Sequence, residues 1–356
     1  MIPKKRIAFG CLIVAFIFTL GFKPKKGPKV YEFPDMPFFP KMPVSKQNPV
    51  TEEGVALGRY LFYEELLSKD TSISCGHCHQ QKRAFSDAPI AFSRGHKLRK
   101  NLRNTPPIFN LAWYPSLFWD GRSPSIEDQV FHPLRGENEL NLSWDEAVKR
   151  ISDQEFYKAK FEAAFGDSFI DSNRISMAIA QFERTLLSYN SKFDKALRFE
   201  LQLSADEYAG FVLMNDQSMA DCLHCHSTDP MALGTNLKFS NNGLDKAESI
   251  EDFKDFGLGG FTGKEEDYGK FKIPSLRNIA FTAPYMHDGR FESLEEVLDF
   301  YSEGVQENIN IDSKMTQAHR GGVRLTELEK KQIIAFLHTL SDSSFITDPK
   351  FSNPFF

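Results

Sequence analysis

The sequence predicts a mainly α-helical chain built as two similar domains. Three observations carry that expectation. The pattern Cys-x-x-Cys-His occurs twice, at Cys75-Gly76-His77-Cys78-His79 and at Cys222-Leu223-His224-Cys225-His226. A capped, helix-periodic stretch precedes each copy and a loop-rich stretch follows it. Short motifs of the first half recur in the second. Leu102-Arg103-Asn104 returns as Leu276-Arg277-Asn278, Asp120-Gly121-Arg122 as Asp288-Gly289-Arg290, and Ser125-Ile126-Glu127 as Ser293-Leu294-Glu295. Such recurrence reads as an internal duplication.

The repeated pattern has a specific chemistry. Two thiols three positions apart reach both vinyl groups of one haem, and the next residue meets the iron as an imidazole ligand. The two copies use four of the five cysteines. A zinc site would bring its cysteine pairs closer in sequence, and a redox Cys-x-x-Cys leaves the histidine after both pairs unexplained. Two covalently attached c-type haems are expected, on Cys75 and Cys78 and on Cys222 and Cys225. His79 and His226 are their iron ligands.

The elements follow in order. Lys4, Lys5 and Arg6 precede an apolar run from Ile7 to Phe22. At about 1.5 Å per residue the run spans roughly 24 Å, short for a bilayer. Residues 1–22 therefore read as a signal peptide, with an uncleaved membrane anchor as the alternative because no small-x-small cleavage site follows. Cys11 after Gly10 has too few apolar residues before it for a lipoprotein site. Export places the chain in the periplasm, where haem attachment occurs. Residues 23–50, rich in Pro and Lys, read as an extended tether. Thr51 caps a helix to about Phe62 that opens an N-terminal domain over 51–199. Residues 80–118 read as loops. Helical pattern returns over Ser143–Ala164 and Ser172–Ser188, the latter with Ile175, Ile179, Phe182 and Leu186 on one face. A second domain over 200–356 opens with a helix capped by Ser204 and running towards Cys222. It closes with a helix to about Leu340, opened by the capping box Thr326-x-x-Glu329. Helix, Cys-x-x-Cys-His, loops and closing helix give each half the outline of a cytochrome c domain. The formal charge of −5 and pI near 6.0 exclude a polyanion-binding signature, so nucleic acid is not an expected partner. The 34 Phe residues suit apolar packing around flat cofactors.

From about Thr51 to Asp342 the chain resembles the bacterial di-haem cytochrome c peroxidases and MauG-type enzymes. The resemblance rests on both Cys-x-x-Cys-His motifs, R-N-T-P at 103–106, F-W-D-G-R at 118–122 and L-R-N-I-A-F-T-A-P-Y at 276–285. It implies a peroxide site at the first haem and an electron-storing second haem. Hydrogen peroxide is then the substrate, and a small c-type cytochrome or copper protein the electron donor. A homodimer is compatible with it. By matched position, Glu139 is the proton shuttle, Gln129 positions peroxide or water, and Trp119 relays electrons between the haems. His96 matches a histidine that closes the peroxide haem in many resting members. Asn104, Thr282 and Pro284 match an inter-haem calcium site, whose oxygen donors suit a hard cation. The repeat adds an independent asymmetry. Pro133 lies 13 residues after Asp120, and Tyr301 lies 13 residues after Asp288. Proline offers no ligand, so the first haem stays open. A tyrosine oxygen can close the second, with Met315 as the alternative ligand. The rival functions are a MauG-like oxidase acting on a protein substrate and a plain di-haem electron carrier.

Overall fold

The computed structural model describes residues 27–228 and 233–356. The expected signal or anchor at 1–22 lies outside the described residues. Among the described residues no helix is long and apolar enough to cross a membrane.

The longer helices are α1 (Glu52–Phe62), α2 (Ile126–Arg135), α3 (Trp144–Ser152), α4 (Glu155–Phe165), α5 (Ser172–Thr185), α6 (Lys192–Leu197), α7 (Ala205–Asn215), α8 (Leu294–Asp299) and α9 (Glu327–Thr339). A two-residue antiparallel pair, β1 (Phe239–Ser240) with β2 (Phe271–Lys272), joins two loops of the second half. The chain is thus mainly helical. Capping residues set several starts. The Thr51 hydroxyl accepts from Gly54 N–H at 3.0 Å. Ser204 and Thr326 form full capping boxes with Glu207 and Glu329. A cap of this kind contributes about 1 kcal/mol.

Four boundaries differ from expectation. The stretch 143–164 is two helices broken at Asp153-Gln154. The helix expected over Ser172–Ser188 stops at Thr185 and takes Asp171 as its cap. The helix after Ser204 ends at Asn215, short of Cys222. Helix α2 was not expected. Pro133 lies only two residues before its end, where few later turns depend on the missing N–H.

Helix packing follows one scheme in both halves. Helix α1 lies on α5, and α7 lies on α9. A Cβ at Gly58 would strike the Ala178 carbonyl, and one at Gly210 would strike the Gln332 carbonyl. Each half thus needs a glycine where its first helix meets its closing helix. The repeat register also becomes visible. Asn110 and Asn278 both adopt left-handed backbone and both open a single 3₁₀ turn. Asn110 precedes Asp120 by ten residues, as Asn278 precedes Asp288. The counterpart of Asn278 is therefore Asn110, and the match with Leu102-Arg103-Asn104 is a coincidence of letters.

Two terminal stretches pack across the halves. Phe33, Met36, Phe39 and Met42 lie against Trp113, Leu187 and Leu233, so the expected tether is a packed strap over residues 33–42. Phe345 and Phe351 complete the core of the first half, between Phe85 and Phe109. Asp194, on α6, pairs with the fully buried Arg277 of the second half.

Candidate active site

A cavity of about 1110 Å³ opens beside the first Cys-x-x-Cys-His turn. Ordinary small-molecule pockets run to roughly 300–1,000 Å³, so this one suits a large flat ligand. Cys75, Cys78 and His79 line it together with Trp119, Gln129 and Glu139. The residues fit a haem. His79 Nδ1 lies 2.8 Å from the Phe85 carbonyl, which can only accept. Nδ1 therefore carries the proton and Nε2 keeps a lone pair for a metal. Burial pushes the His79 pKa down to about 4, which keeps the ring neutral. The Cys75 and Cys78 thiols are unpaired with one another, and burial raises the pKa of both. Among the described residues no three His, Cys, Asp or Glu side chains converge as a metal cluster.

Helix α2 and the loop after it supply the distal groups. Ser125 caps α2 by accepting from Asp128 N–H at 3.1 Å. Gln129 and Pro133 project from this helix into the cavity wall. Glu139 is fixed through its backbone: its N–H donates to the Gly136 carbonyl at 2.9 Å, and its carbonyl accepts from His96 N–H at 2.7 Å. Burial raises the Glu139 pKa, with the Arg122 charge acting against it. The Arg122 guanidinium lies 3.5 Å over the Phe118 ring and donates to both Asp120 oxygens at 2.9 Å.

Trp119 is buried, and its Nε1–H donates to the Asn104 carbonyl at 2.8 Å. Asn104 N–H in turn donates to the His287 carbonyl at 2.7 Å. One residue thus bridges the Asp-Gly-Arg loops of the two halves. The Asn104 amide nitrogen faces the carbonyls of Ile90 and Ala91 at 3.4 and 3.1 Å. Thr282 spends its hydroxyl on the Ile279 carbonyl. No hydrogen bond among the described residues connects Asn104 with Thr282 or Pro284. His96 is outside the cavity wall. Its Nδ1 lies 3.0 Å from Asp70 Oδ2. Its backbone meets Glu139 of that wall, while its ring meets Asp70.

The second site repeats the proximal device. His226 Nδ1 donates to the Pro274 carbonyl at 3.0 Å, and burial pushes its pKa down to about 4. Tyr301 sits in a π-helical turn, Phe300–Gly304, that continues α8. Such turns re-aim side chains and concentrate at functional sites. The Tyr301 hydroxyl accepts from Asn242 Nδ2 at 2.9 Å. Burial pushes its pKa up to about 12, against the Asn242 hydrogen bond. Met315 packs in the same apolar cluster as Tyr301.

Three side chains escaped the sequence reading. Glu183 on α5 lines the cavity, with Oε2 unpartnered, and burial pushes its pKa up to about 8. It falls four residues after Ile179 on the apolar face, a position that could have flagged it. Asn242 and Lys272 lie in loop or strand and carry no periodic signal.

The model of the family described as di-haem cytochrome c peroxidase matches residues 52–202. The methylamine utilization protein MauG of Methylorubrum extorquens is 36% identical over 84% of this chain and 82% of its own length. The cytochrome c551 peroxidase of Nitrosomonas europaea is 34% identical over 68% of this chain and 71% of its own length. A crystal structure of a MauG-like protein associated with microbial copper homeostasis superposes with a TM-score of 0.83 at 35% identity, covering 92% of this chain and all of that one. With relatives of both kinds along most of its length, the chain belongs to the di-haem cytochrome c peroxidase/MauG family of haem-dependent oxidoreductases.

Proposed function

We propose that the protein reduces hydrogen peroxide to water at a c-type haem held by Cys75, Cys78 and His79. The observation that carries this reading is the placement of Glu139, a buried carboxyl of raised pKa in the wall of the cavity that contains His79. The haem iron supplies the redox chemistry. The protein supplies the proton path. Glu139 takes a proton from the inner peroxide oxygen and returns one to the outer oxygen, so that the outer oxygen leaves as water. The Gln129 amide orients the peroxide. Pro133 offers no ligand, which leaves room for substrate. Trp119 adjoins the first Asp-Gly-Arg motif, meets the second through Asn104, and carries electrons from the second haem, held by Cys222, Cys225 and His226. Two electrons arrive singly from a small c-type cytochrome or copper protein in the periplasm. A calcium ion at Asn104, Thr282 and Pro284 and a homodimeric state belong to the same reading.

Glu139→Gln tests it. Both haems should stay attached and spectrally near normal while peroxide turnover falls by about 10²–10⁴-fold, the usual contribution of a general acid–base residue. Near-full turnover would sink the role.

Tyr301 supports a second reading. Its hydroxyl is buried beside the second Cys-x-x-Cys-His turn. An anionic oxygen ligand favours ferric and higher states, which suits the stored oxidising power of a MauG-like oxidase acting on a protein substrate. Peroxide turnover with a small donor, measured against oxidation of a protein substrate, separates the two.

A further inference from the structure

Several cations line the large cavity, and nearly all are neutralised by the protein. Arg103 is held by Asp255 and Asp120, Arg122 by Asp120, and Arg290 by Asp245 and Asp288. Lys254 is exposed to water. Lys272 differs. It is only 6% exposed, it lines the cavity, and no carboxylate among the described residues lies within ion-pair distance. Its ammonium lies over the Tyr114 ring, 4.5 Å from Nζ to the centroid. Its backbone is fixed, since Lys272 N–H donates to the Trp119 carbonyl at 2.8 Å.

A buried ammonium is retained when an anion meets it. The chain supplies none here, so the ligand of the cavity should. On a porphyrin the propionates lie across the ring from the vinyl groups. A haem held through its vinyl edge by Cys75 and Cys78 therefore carries its two carboxylates away from that turn. The Trp119 loop and Lys272 of β2 contribute to the wall of the same cavity. Among the described residues, Lys272 is the buried cation of that wall with no acid within ion-pair distance.

We infer that Lys272 is the counter-ion of a propionate on the haem bound by His79, and that this pair, tied through the backbone to Trp119, raises the midpoint potential of that haem. The inference rests on the haem reading of the site and not on peroxide chemistry. A cation beside a propionate disfavours the extra positive charge of ferric iron. Its loss should lower the midpoint potential of the neighbouring haem. Burial alone pushes the Lys272 pKa down to about 8, and a carboxylate alongside would act in the opposite direction.

The test uses the haem-loaded full chain. Haem content is measured first, by pyridine haemochrome. Both haem midpoints are then titrated in wild type, Lys272→Gln, Lys272→Met and Lys272→Arg. The expected result is a downward shift of the first-haem midpoint in the Gln and Met variants, a smaller shift at the second haem, and near-wild-type values for Arg. The propionate-bending bands in the resonance Raman spectrum should move in the Gln and Met variants alone. Unchanged midpoints in both variants would overturn the assignment, as would a shift confined to the second haem. Wild-type chain with no haem on Cys75 and Cys78 would overturn the site reading and this inference together.

Discussion

Adding one methyl group at Gly136 should move the Glu139 carboxylate without removing it. Gly136 has φ of −59°, which an alanine accepts. A methyl carbon there would lie 2.4 Å from Glu139 Oε2 and 3.2 Å from its Cβ and Cδ, against 3.4 Å or more for ordinary contact. The carboxylate must retreat by about 1 Å. It is the far end of a flexible side chain, so the retreat is cheap in stability. It is expensive in chemistry, because a displacement of about 1 Å at a reacting group can cost on the order of 10²-fold. Gly136→Ala should therefore keep its haem content and unfold within a few degrees of wild type, yet lose about 10²-fold in steady-state peroxide turnover with a reduced c-type cytochrome as donor. In a Glu139→Gln background the same methyl should cost nothing more, since the group it displaces no longer shuttles a proton. Full turnover in Gly136→Ala would refute the claim that carboxylate position matters. A further loss in the double variant would show that Gly136 acts through something else.

Other outcomes follow from the same geometry. Tyr301→Phe should change the optical spectrum of the second haem, and Met315→Leu should not; the reverse would transfer the ligand role to Met315. His96→Ala should leave the high-spin fraction of the oxidised protein unchanged, because His96 faces Asp70; a rise in paramagnetic resonance would mark it as a resting ligand. Asp194→Ala should destabilise the fold by about 3–5 kcal/mol in urea titrations, because it strips a carboxylate from the buried Arg277 guanidinium. Although burial alone would raise the Asp194 pKa, hydrogen bonds from Arg277 hold it below 3.8. Its stabilisation is present above that value and fades as pH falls through the lower folded pKa, so wild type and variant should converge in acid. Glu183 has the opposite sign. Burial pushes its pKa from 4.5 up to about 8. The folded chain keeps a proton that the unfolded chain releases, so the penalty grows as pH rises across that window. Glu183→Gln should gain stability over wild type between those limits, and an unchanged difference at pH 5 and 8 would refute it.

Much of this was legible in the chain itself. Thr51, Ser204 and Thr326 announce their helices because a hydroxyl before a periodic run satisfies an orphan N–H locally, with no help from tertiary structure. The two Cys-x-x-Cys-His turns are equally local. Helix α2 carries Pro133 near its end, where the ring weakens the local helical pattern without breaking the helix. The register of the repeat was hidden for a different reason. Leu-Arg-Asn recurs as letters, whereas the true counterparts Asn110 and Asn278 share a left-handed backbone conformation that letters do not encode. Lys272 was invisible because its oddity is the absence of a nearby acid, which only the folded arrangement defines. His96 looked like a mobile ligand in its loop, and its contact with Asp70 depends on a neighbour 26 residues away.

The packing of Phe345 and Phe351 sets a schedule for the making of the protein. These two rings lie against Phe85, whose carbonyl orients His79, and Tyr63 donates to the Phe351 carbonyl across 288 residues. A ribosome adding about 5–20 residues per second needs roughly 15–60 s to cover that separation. For at least that interval the first Cys-x-x-Cys-His turn exists in a half whose apolar floor is not yet closed. The first half therefore cannot close its own floor, and a chain cut short before Phe345 would leave the first Cys-x-x-Cys-His turn against an open core.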